Sequence, residues 1–298
     1  MRILFTGGTG FIGRHFIEQF PLYDYTVLTR KASRAARRLP ESVKLIESLE
    51  VLDNLDQFDA VINLCGEPIA DKRWSRKQKD LICASRWEPT ARLVELFKAS
   101  DNPPRAFVSG SAIGFYGDTG NRKTTESDAP SKQDFSYSVC DRWESLARGS
   151  ESITRLVLLR TGVVLGKNGG ALAKMLPPFR LGLGGRMGSG SQYMSWIHMA
   201  DMLAAMNVLL VNDSARGVFN MTAPEALSND QFASMLARTL GTRARLPLPE
   251  IALRTLMGES ADLLLNSQRV YPERLLDLGY EFQFPDLQGA LADLLIEG

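Results

Sequence analysis

The chain has 298 residues, of which 44% are hydrophobic and 23% charged, a balance that fits a globular protein and excludes fibrous and wholly disordered chains. Its 35 basic and 34 acidic residues give a formal net charge of +1, so no overall field attracts nucleic acid or an anionic membrane surface. We therefore expect neither nucleic acid nor a membrane as a partner.

Cysteine and histidine usage narrows the class of protein further. The three cysteines form no CxxC pair, which indicates free thiols in a reducing compartment, and with two histidines they match no familiar zinc spacing. The chain enters a glycine turn within its first residues, which leaves no room for a signal peptide. No later run reaches the roughly 18 apolar residues of a membrane span. We expect a cytoplasmic protein without a metal site.

Short apolar runs alternate with longer helical patterns through the first half of the chain. The runs that predict strands are 2–5, 25–29, 43–46, 60–64, 106–109 and 155–160. Between them, apolar residues recur at helical spacing, as in 12–20 and 78–98, which predicts crossover helices. Such alternation indicates an α/β fold of the Rossmann type, with a doubly wound parallel sheet.

The pattern loosens after residue 160, where the chain is expected to leave the sheet. The features that follow are a glycine-rich stretch, a helix, a strand-like run and a second helix, at 182–190, 199–211, 217–221 and 228–240. We expect a dinucleotide-binding domain over 1–219, whose loop 165–198 contributes to the cleft. A smaller C-terminal α/β substrate lobe is expected over 220–298.

The stretch Thr6-Gly7-Gly8-Thr9-Gly10-Phe11-Ile12-Gly13 lies where the first predicted strand passes into the first helix. Gly7 permits a tight turn, Gly10 lets the backbone approach a pyrophosphate, and Gly13 lets the helix pack close to the strand. The helix N-terminus then offers free N–H groups and the positive end of its dipole to phosphates. An unliganded glycine turn is the alternative. The predicted cofactor contacts at this turn are Gly7, Thr9, Gly10, Phe11, Ile12 and Gly13.

The end of the second strand selects between NAD and NADP, because NAD sites carry an acidic residue there for the ribose hydroxyls. This chain has Thr29-Arg30-Lys31 at that place, and Arg34 follows. A guanidinium pairs well with a 2′-phosphate, so Arg30 and Arg34 favour NADP(H) over NAD. The alternative, a solvated basic surface, is the interpretation we give to Arg37 and Arg38.

Three further segments, 62–70, 109–117 and 195–198, are more specific than the glycine turn. With that turn they resemble the extended short-chain dehydrogenase/reductases, and among these the SulA-like branch of the NAD-dependent epimerase/dehydratase-like family. The resemblance spans essentially the whole chain, and blocks 220–224 and 267–270 resemble that branch's own C-terminal domain. It implies a parallel sheet of about seven strands, with a C-terminal lobe closing over the nicotinamide end.

The resemblance also implies cofactor contacts at the carboxyl ends of the fourth and fifth strands, where an open α/β sheet binds its ligands. The residues that match are Asn63, Leu64, Cys65, Gly66 and Ser109. The alternative for this group is a buried strand terminus, and for Leu64 both interpretations stand.

In active members of the family, a Ser or Thr after the fifth strand binds the substrate hydroxyl, and a Tyr-x-x-x-Lys on the next helix supplies the proton. The lysine lowers the pKa of the phenol. Ser111 matches the first role. On the helix, one alignment places Ser136 and Cys140 at the Tyr and Lys positions, and the other places Tyr137 and Asp141 there. Neither supplies the lysine, so Ser111 and Tyr137 are the catalytic candidates and the usual dyad is missing.

Two other residues carry alternatives. His198, beside Trp196 and Ile197, is expected to be structural, since a lone histidine among apolar residues is more often a satisfied core group than a catalyst. Arg186 lies in the glycine-rich stretch, for which two interpretations stand. The stretch is a mobile substrate loop from which Arg186 binds an anionic ligand, or Arg186 is a solvated surface residue.

These features support two functions. The first is an NADP(H)-binding oxidoreductase or epimerase that acts by transient hydride transfer on a small polar substrate, for which a sugar-nucleotide-like compound is one candidate. The alternative is a non-catalytic NADP(H)-binding regulator or scaffold. Ser111, the glycine-rich loop and the closing lobe favour the enzyme, whereas the missing lysine favours the regulator.

Overall fold

The computed structural model describes residues 1–167, 169–244 and 246–296. Its strands are β1 (Arg2–Thr6), β2 (Asp24–Leu28), β3 (Lys44–Ile46), β4 (Ala60–Asn63), β5 (Ala106–Ala112), β6 (Arg155–Thr161), β7 (Val163–Leu165), β8 (Tyr193–Met194), β9 (Trp196–His198), β10 (Gly217–Met221) and β11 (Leu227–Ser228). Its α-helices are α1 (Phe11–Gln19), α2 (Ala32–Ala35), α3 (Arg76–Lys98), α4 (Phe135–Arg148), α5 (Gly170–Arg180), α6 (Met199–Val211), α7 (Asn229–Thr239), α8 (Glu250–Met257), α9 (Asp262–Leu265), α10 (Glu273–Asp277) and α11 (Leu287–Leu295). Short 3₁₀ helices lie at Leu49–Val51, Ile113–Tyr116 and Gly258–Ala261.

The central sheet is parallel and has the strand order β10-β6-β5-β4-β1-β2-β3. The predicted Rossmann-type parallel sheet is therefore confirmed. The order reverses between β1 and β4, which is the place where open α/β sheets form a ligand-binding crevice at their carboxyl edge.

Both faces of the sheet are covered, as the alternation of β1 shows. Leu4 belongs to an apolar layer shared with Leu93 of α3, and Phe5 to a layer shared with Phe16 of α1 and Met206 of α6. Successive side chains of a strand point to opposite faces, so this short apolar run feeds two cores. Because helices cover both faces, the carboxyl edge of the sheet is where a ligand can approach the strand ends.

The expected loop over 165–198 is not a loop. It contains α5 (Gly170–Arg180) and ends in β9, which pairs in parallel with β7. Glycines at the start of α5, with Pro177 and Pro178 near its end, conceal the helical pattern of its buried Leu172 and Phe179.

The chain also returns to the central sheet, which it was expected to leave after residue 160. The run Gly217–Met221 pairs with β6 along its length, with Met221 beside Thr161. The sequence does not reveal this pairing because the strand follows a long excursion through α5 and α6. The division of the chain at 219/220 stays a prediction, and it passes through β10.

Polar contacts attach the C-terminal segment to α6. Asp201 accepts hydrogen bonds from the Gln283 N–H (2.8 Å) and the Phe284 N–H (2.9 Å). His198 caps α6, since its Nδ1 accepts from the Ala200 N–H (3.1 Å), and its Nε2 lies 3.3 Å from Asp293 Oδ2. Burial lowers the pKa of this imidazole. These contacts give His198 the structural role expected of it.

Apolar packing joins α5 to the helices that follow. Leu172 of α5, Leu236 of α7 and Leu291 of α11 belong to one buried cluster. This cluster forms a third core beside the two that cover the sheet. No helix in the described ranges is long and apolar enough to cross a membrane.

Candidate active site

The glycine turn after β1 lies in backbone contact with the end of β4. Gly7 has a φ of +83°, and a Cβ there would lie 2.5 Å from the carbonyl carbon of Leu64. A Cβ at Gly13 would lie 2.5 Å from the Gly7 carbonyl oxygen. Both positions therefore require glycine, for the turn conformation and for the close packing of α1.

Gly10 lies in a different environment, because its backbone is ordinary and its surroundings are open. Its φ is −76°, and the nearest atom to a Cβ there would be the Gly7 carbonyl oxygen, at 3.1 Å. Gly10 is the N-cap of α1, and no described side chain caps this helix. The first N–H groups of a helix have no partner within it, so the turn offers donors and space to an anion.

The side chain of Phe11 holds a neighbouring connection in place. Its ring would lie 2.9, 2.5 and 2.7 Å from Cβ atoms built at Gly166, Gly169 and Gly170, between β7 and α5. It also packs edge-on against His15. The side chain of Phe11 is thus used in packing, so the predicted cofactor contact of this residue stays a prediction.

Arg30 and Arg34 are exposed beside the carboxyl end of β2, where the sequence predicts that the adenosine ribose binds. One carboxylate nearby was missed, because it follows the neighbouring strand: Glu47, after β3, accepts a hydrogen bond from the Ala32 N–H at 2.7 Å. The edge thus carries two exposed guanidinium groups and one carboxylate that holds the start of α2.

A buried polar network joins the ends of β1, β4 and β5. Asn63 is fully buried, and its Nδ2 donates to Thr90 Oγ1 (2.8 Å) and Ser109 Oγ (3.3 Å). Its Oδ1 accepts from the hydroxyl of Thr6 (2.5 Å) and the thiol of Cys65 (2.9 Å). Burial raises the pKa of that thiol to about 11, so it stays protonated. Asn63 and Ser109 therefore fix the strand ends from inside.

Ser111 lies within β5, which is longer than predicted, and it is linked to a buried ion pair. Its hydroxyl donates to Glu144 Oε1 at 2.7 Å. The guanidinium of Arg160 on β6 donates to both oxygens of Glu144, at 2.8 Å each. Arg160 also stacks on Phe115, with 3.4 Å between its Cζ and the ring centre. A planar fork on a carboxylate is a strong and directional contact, which fixes the orientation of Ser111.

The burial of α4 favours one of the two alignments of the missing dyad. Cys140, Trp143 and Glu144 face inward, whereas Asp141 is exposed. Burial raises the pKa of Cys140 to about 12, which keeps this thiol neutral. The burial of Cys140 thus favours the alignment of Ser136 and Cys140 with the Tyr and Lys positions, and this alignment stays a prediction.

Tyr137 directly follows Ser136 on α4, so it lies one residue away from the tyrosine position of the favoured alignment. It is partly buried, and its ring centre is 5.5 Å from that of Phe115. Desolvation and the neighbouring Asp141 raise the pKa of its phenol. The phenol therefore stays protonated at neutral pH. Its catalytic role stays a prediction.

One charged residue of the site was missed by the sequence reasoning. Arg86 of α3 packs against Gly66, where a Cβ would lie 2.7 Å from the Arg86 Cζ. It follows Ile82 and precedes Thr90 on the buried face of the helix. An arginine at a helix position that otherwise faces the core is the signal that would have revealed it.

Backbone hydrogen bonds attach the glycine-rich loop that carries Arg186 to the segment around Leu248. The Leu248 N–H donates to the Arg186 carbonyl oxygen (2.8 Å), and the Gly188 N–H donates to that of Leu248 (2.9 Å). The side chain of Arg186 is exposed. This geometry matches a solvated surface residue, the second of the two interpretations given above.

Comparison with known proteins identifies the family. The model of the NAD dependent epimerase/dehydratase family matches residues 3–222, and a domain of unknown function, DUF1731, matches residues 248–294. The chain therefore belongs to the NAD dependent epimerase/dehydratase family. The block 267–270 lies in the second match, as expected, whereas 220–224 lies at and beyond the end of the first.

Relatives span nearly the whole chain. The Arabidopsis thaliana protein named "Epimerase family protein SDR39U1 homolog, chloroplastic" is 37% identical over 99% of this chain and 87% of its own. A crystal structure of human epimerase family protein SDR39U1 (isoform 2) with NADPH has a TM-score of 0.90 at 34% identity, with 99% of each chain covered. A nucleoside-diphosphate sugar epimerase from Corynebacterium glutamicum has a TM-score of 0.77 at 28% identity, over 99% of this chain and 58% of its own. The compartment of this chain stays a prediction.

The ion pair beneath Ser111 generates a prediction about stability. Replacing Glu144 with Gln keeps the shape of the side chain but leaves the buried guanidinium of Arg160 without a counter-charge. We expect the free energy of unfolding, measured by urea denaturation, to fall by about 3 kcal/mol.

Glu151→Gln is the matched control, because Glu151 pairs with Arg148 at the surface and its side chain is 46% exposed. Loss of an exposed pair should cost less than about 1 kcal/mol. Equal effects of the two substitutions would contradict the structural importance of the Glu144–Arg160 pair.

Proposed function

We propose that the chain is an NADP(H)-dependent oxidoreductase or epimerase that acts on a small polar, sugar-nucleotide-like substrate at the carboxyl edge of its sheet. The observation that carries the proposal is the start of α1: an uncapped helix N-terminus, with open space at Gly10, located where the strand order reverses. The human relative with NADPH, similar over the whole chain, supports the choice of ligand.

The residues present fit a dinucleotide in two ways. Backbone N–H groups of the turn from Gly7 to Gly13 would hold the pyrophosphate, and Arg30 and Arg34 would meet the 2′-phosphate. Backbone groups of the segment 64–66 would line the other half. Asn63 and Ser109 would act as positioning residues, because their side chains already bond to each other within the network.

Ser111 would orient the substrate. Its proton already goes to Glu144, so the lone pairs of its oxygen would be free to accept a hydrogen bond from a substrate hydroxyl. The raised pKa of Tyr137 keeps its phenol protonated, so this residue would donate a proton rather than remove one. The cofactor, when bound, would give or take the hydride.

The choice of substrate class rests on the family and on one relative. The Corynebacterium glutamicum protein that shares the fold and 28% of the sequence is named a nucleoside-diphosphate sugar epimerase. The alternative function, a non-catalytic NADP(H)-binding regulator or scaffold, is favoured by neutral Cys140 at the position of the lysine. Against it stands the ion pair that orients Ser111, because burying two charges is costly and a scaffold has no use for the hydroxyl that they position.

The first test concerns cofactor choice. We expect the unaltered protein to bind NADPH at least tenfold more tightly than NADH, because Arg30 forms a charge-assisted pair with the 2′-phosphate. Arg30→Asp should narrow or reverse this ratio, measured by isothermal titration calorimetry.

Arg37→Asp is the matched control, since it introduces the same charge change at another exposed residue just beyond α2. Its effect on the ratio should be clearly smaller. Equal affinities for NADPH and NADH in the unaltered protein would show that Arg30 does not select the cofactor.

The second test concerns the catalytic candidates, on a substrate found by screening nucleotide sugars and carbonyl compounds. We expect Ser111→Ala to lower kcat/KM by tenfold or more, about 1.4 kcal/mol in the transition state, because the substrate hydroxyl loses its acceptor. Tyr137→Phe should cost clearly less, because no cation of the described chain stabilises its phenolate.

NADPH affinity serves as the internal control, since both substitutions leave the glycine turn intact. If Tyr137→Phe abolishes turnover while NADPH still binds, Tyr137 and not Ser111 carries the essential step. If neither substitution changes turnover, both assignments are wrong.

A further inference from the structure

The guanidinium of Arg86 is held in a fixed orientation beside Gly66, just after β4. Its Nη1 donates to the carbonyl oxygens of Glu67 (3.1 Å) and Ile82 (3.0 Å). Its Cζ lies 5.4 Å from the centre of the Trp143 ring on α4. Two backbone acceptors and an aromatic face thus restrict the group, and these contacts leave its Nη2 unused.

This guanidinium has no counter-ion in the described part of the chain. Glu67, the acidic residue whose charge acts on it, forms its ion pair with Lys72 instead, at 3.2 Å. Burial lowers the pKa of the Arg86 guanidinium, which shows that desolvation is the largest effect upon it. Holding a desolvated cation without an anion costs free energy, so an anionic ligand at this position would be stabilising.

The position of Arg86 in the fold indicates which half of a bound dinucleotide it would contact. A dinucleotide bound at the α1 N-terminus crosses the sheet where β1 and β4 meet, with its adenosine half beyond β2. The nicotinamide half then lies over the ends of β4 and β5. Arg86 lies on that side, against Gly66 just after β4, and near enough to Cys140 for its positive charge to act on the ionisation of that thiol.

Cys140 is the inward residue of α4 at the position where active relatives have lysine. We propose that Arg86 supplies, from α3, a fixed cation on the nicotinamide side of the cleft, where α4 carries neutral Cys140, and that its Nη2 binds the phosphate of the nicotinamide half. This inference rests on the proposed NADP(H)-binding function and names a residue for it. The positive charge is therefore present in the cleft but comes from a different helix.

The glycine at position 66 fits this role. A Cβ at Gly66 would lie 2.9 Å from the Nη2 of Arg86 and 2.7 Å from its Cζ, closer than side-chain atoms normally approach. Glycine at this position therefore allows the guanidinium to reach the end of β4. Gly66→Ala would displace the cation without removing its charge, and it provides a second variant for the test.

The test compares two ligands by calorimetry. NADPH has both halves, whereas adenosine 2′,5′-bisphosphate lacks the nicotinamide half. We expect Arg86→Met, which keeps much of the apolar stem beside Trp143, to lower NADPH affinity about tenfold or more and to leave bisphosphate affinity within about twofold. Arg86→Lys, which keeps the charge but not the planar fork, should lose less NADPH affinity than Arg86→Met. Gly66→Ala should weaken NADPH selectively.

Arg76→Met, an exposed arginine at the start of α3, is the matched control and should change neither affinity. Circular dichroism melting verifies that each variant is folded, and if Arg86→Met does not fold, Arg86→Lys and Gly66→Ala decide. Equal losses for both ligands, or no loss for NADPH, would overturn the role of Arg86 while leaving NADPH binding by the unaltered protein intact. Failure of the unaltered protein to bind NADPH would overturn the proposed function as well.

Discussion

Backbone contact between the glycine turn and the end of β4 is the constraint on which the cleft depends. No Cβ fits at Gly7, which lies against Leu64, or at Gly13, where α1 packs against the backbone of Gly7 and Gly8. Asn63 then ties β1, β4 and β5 together from inside, with its amide and carbonyl groups all used. The helix N-terminus and the strand ends are thereby fixed relative to one another, which preorganises a binding site before a ligand arrives.

Two cations lie beside the candidate site, buried Arg160 and partly buried Arg86, and they differ in whether a carboxylate pairs with them. Arg160 is paired with Glu144, so its charge is used to orient Ser111. Arg86 has backbone acceptors and an aromatic face but no carboxylate partner in the described ranges. A paired cation positions a neighbouring group, whereas a desolvated cation without a counter-ion is suited to an anionic ligand.

The features that the sequence predicts correctly are those that depend on local patterns of residues. The strands of the first half are short apolar runs, and the turn around Gly10 marks the passage from a strand to a helix, so the fold class follows from them. The family follows from that turn together with the segments 62–70, 109–117 and 195–198. Features that depend on distant partners do not follow. The glycines and prolines of α5 conceal its helical pattern, and β10 joins β6 by a pairing that no local pattern encodes. Arg86 was missed because its importance comes from Gly66 and Trp143, which lie on other elements.

Titration of the Gly10→Val protein with NADPH tests most directly whether the uncapped start of α1 binds the pyrophosphate of this cofactor. Gly10 has an ordinary φ of −76° and only one close neighbour, so a branched side chain should fit the fold but occupy the space of the phosphates. Gly289→Val, at a helical glycine with open surroundings, is the matched control. We predict that Gly10→Val remains folded and loses NADPH binding while the control keeps it. A folded Gly10→Val protein with full affinity for NADPH would contradict the account.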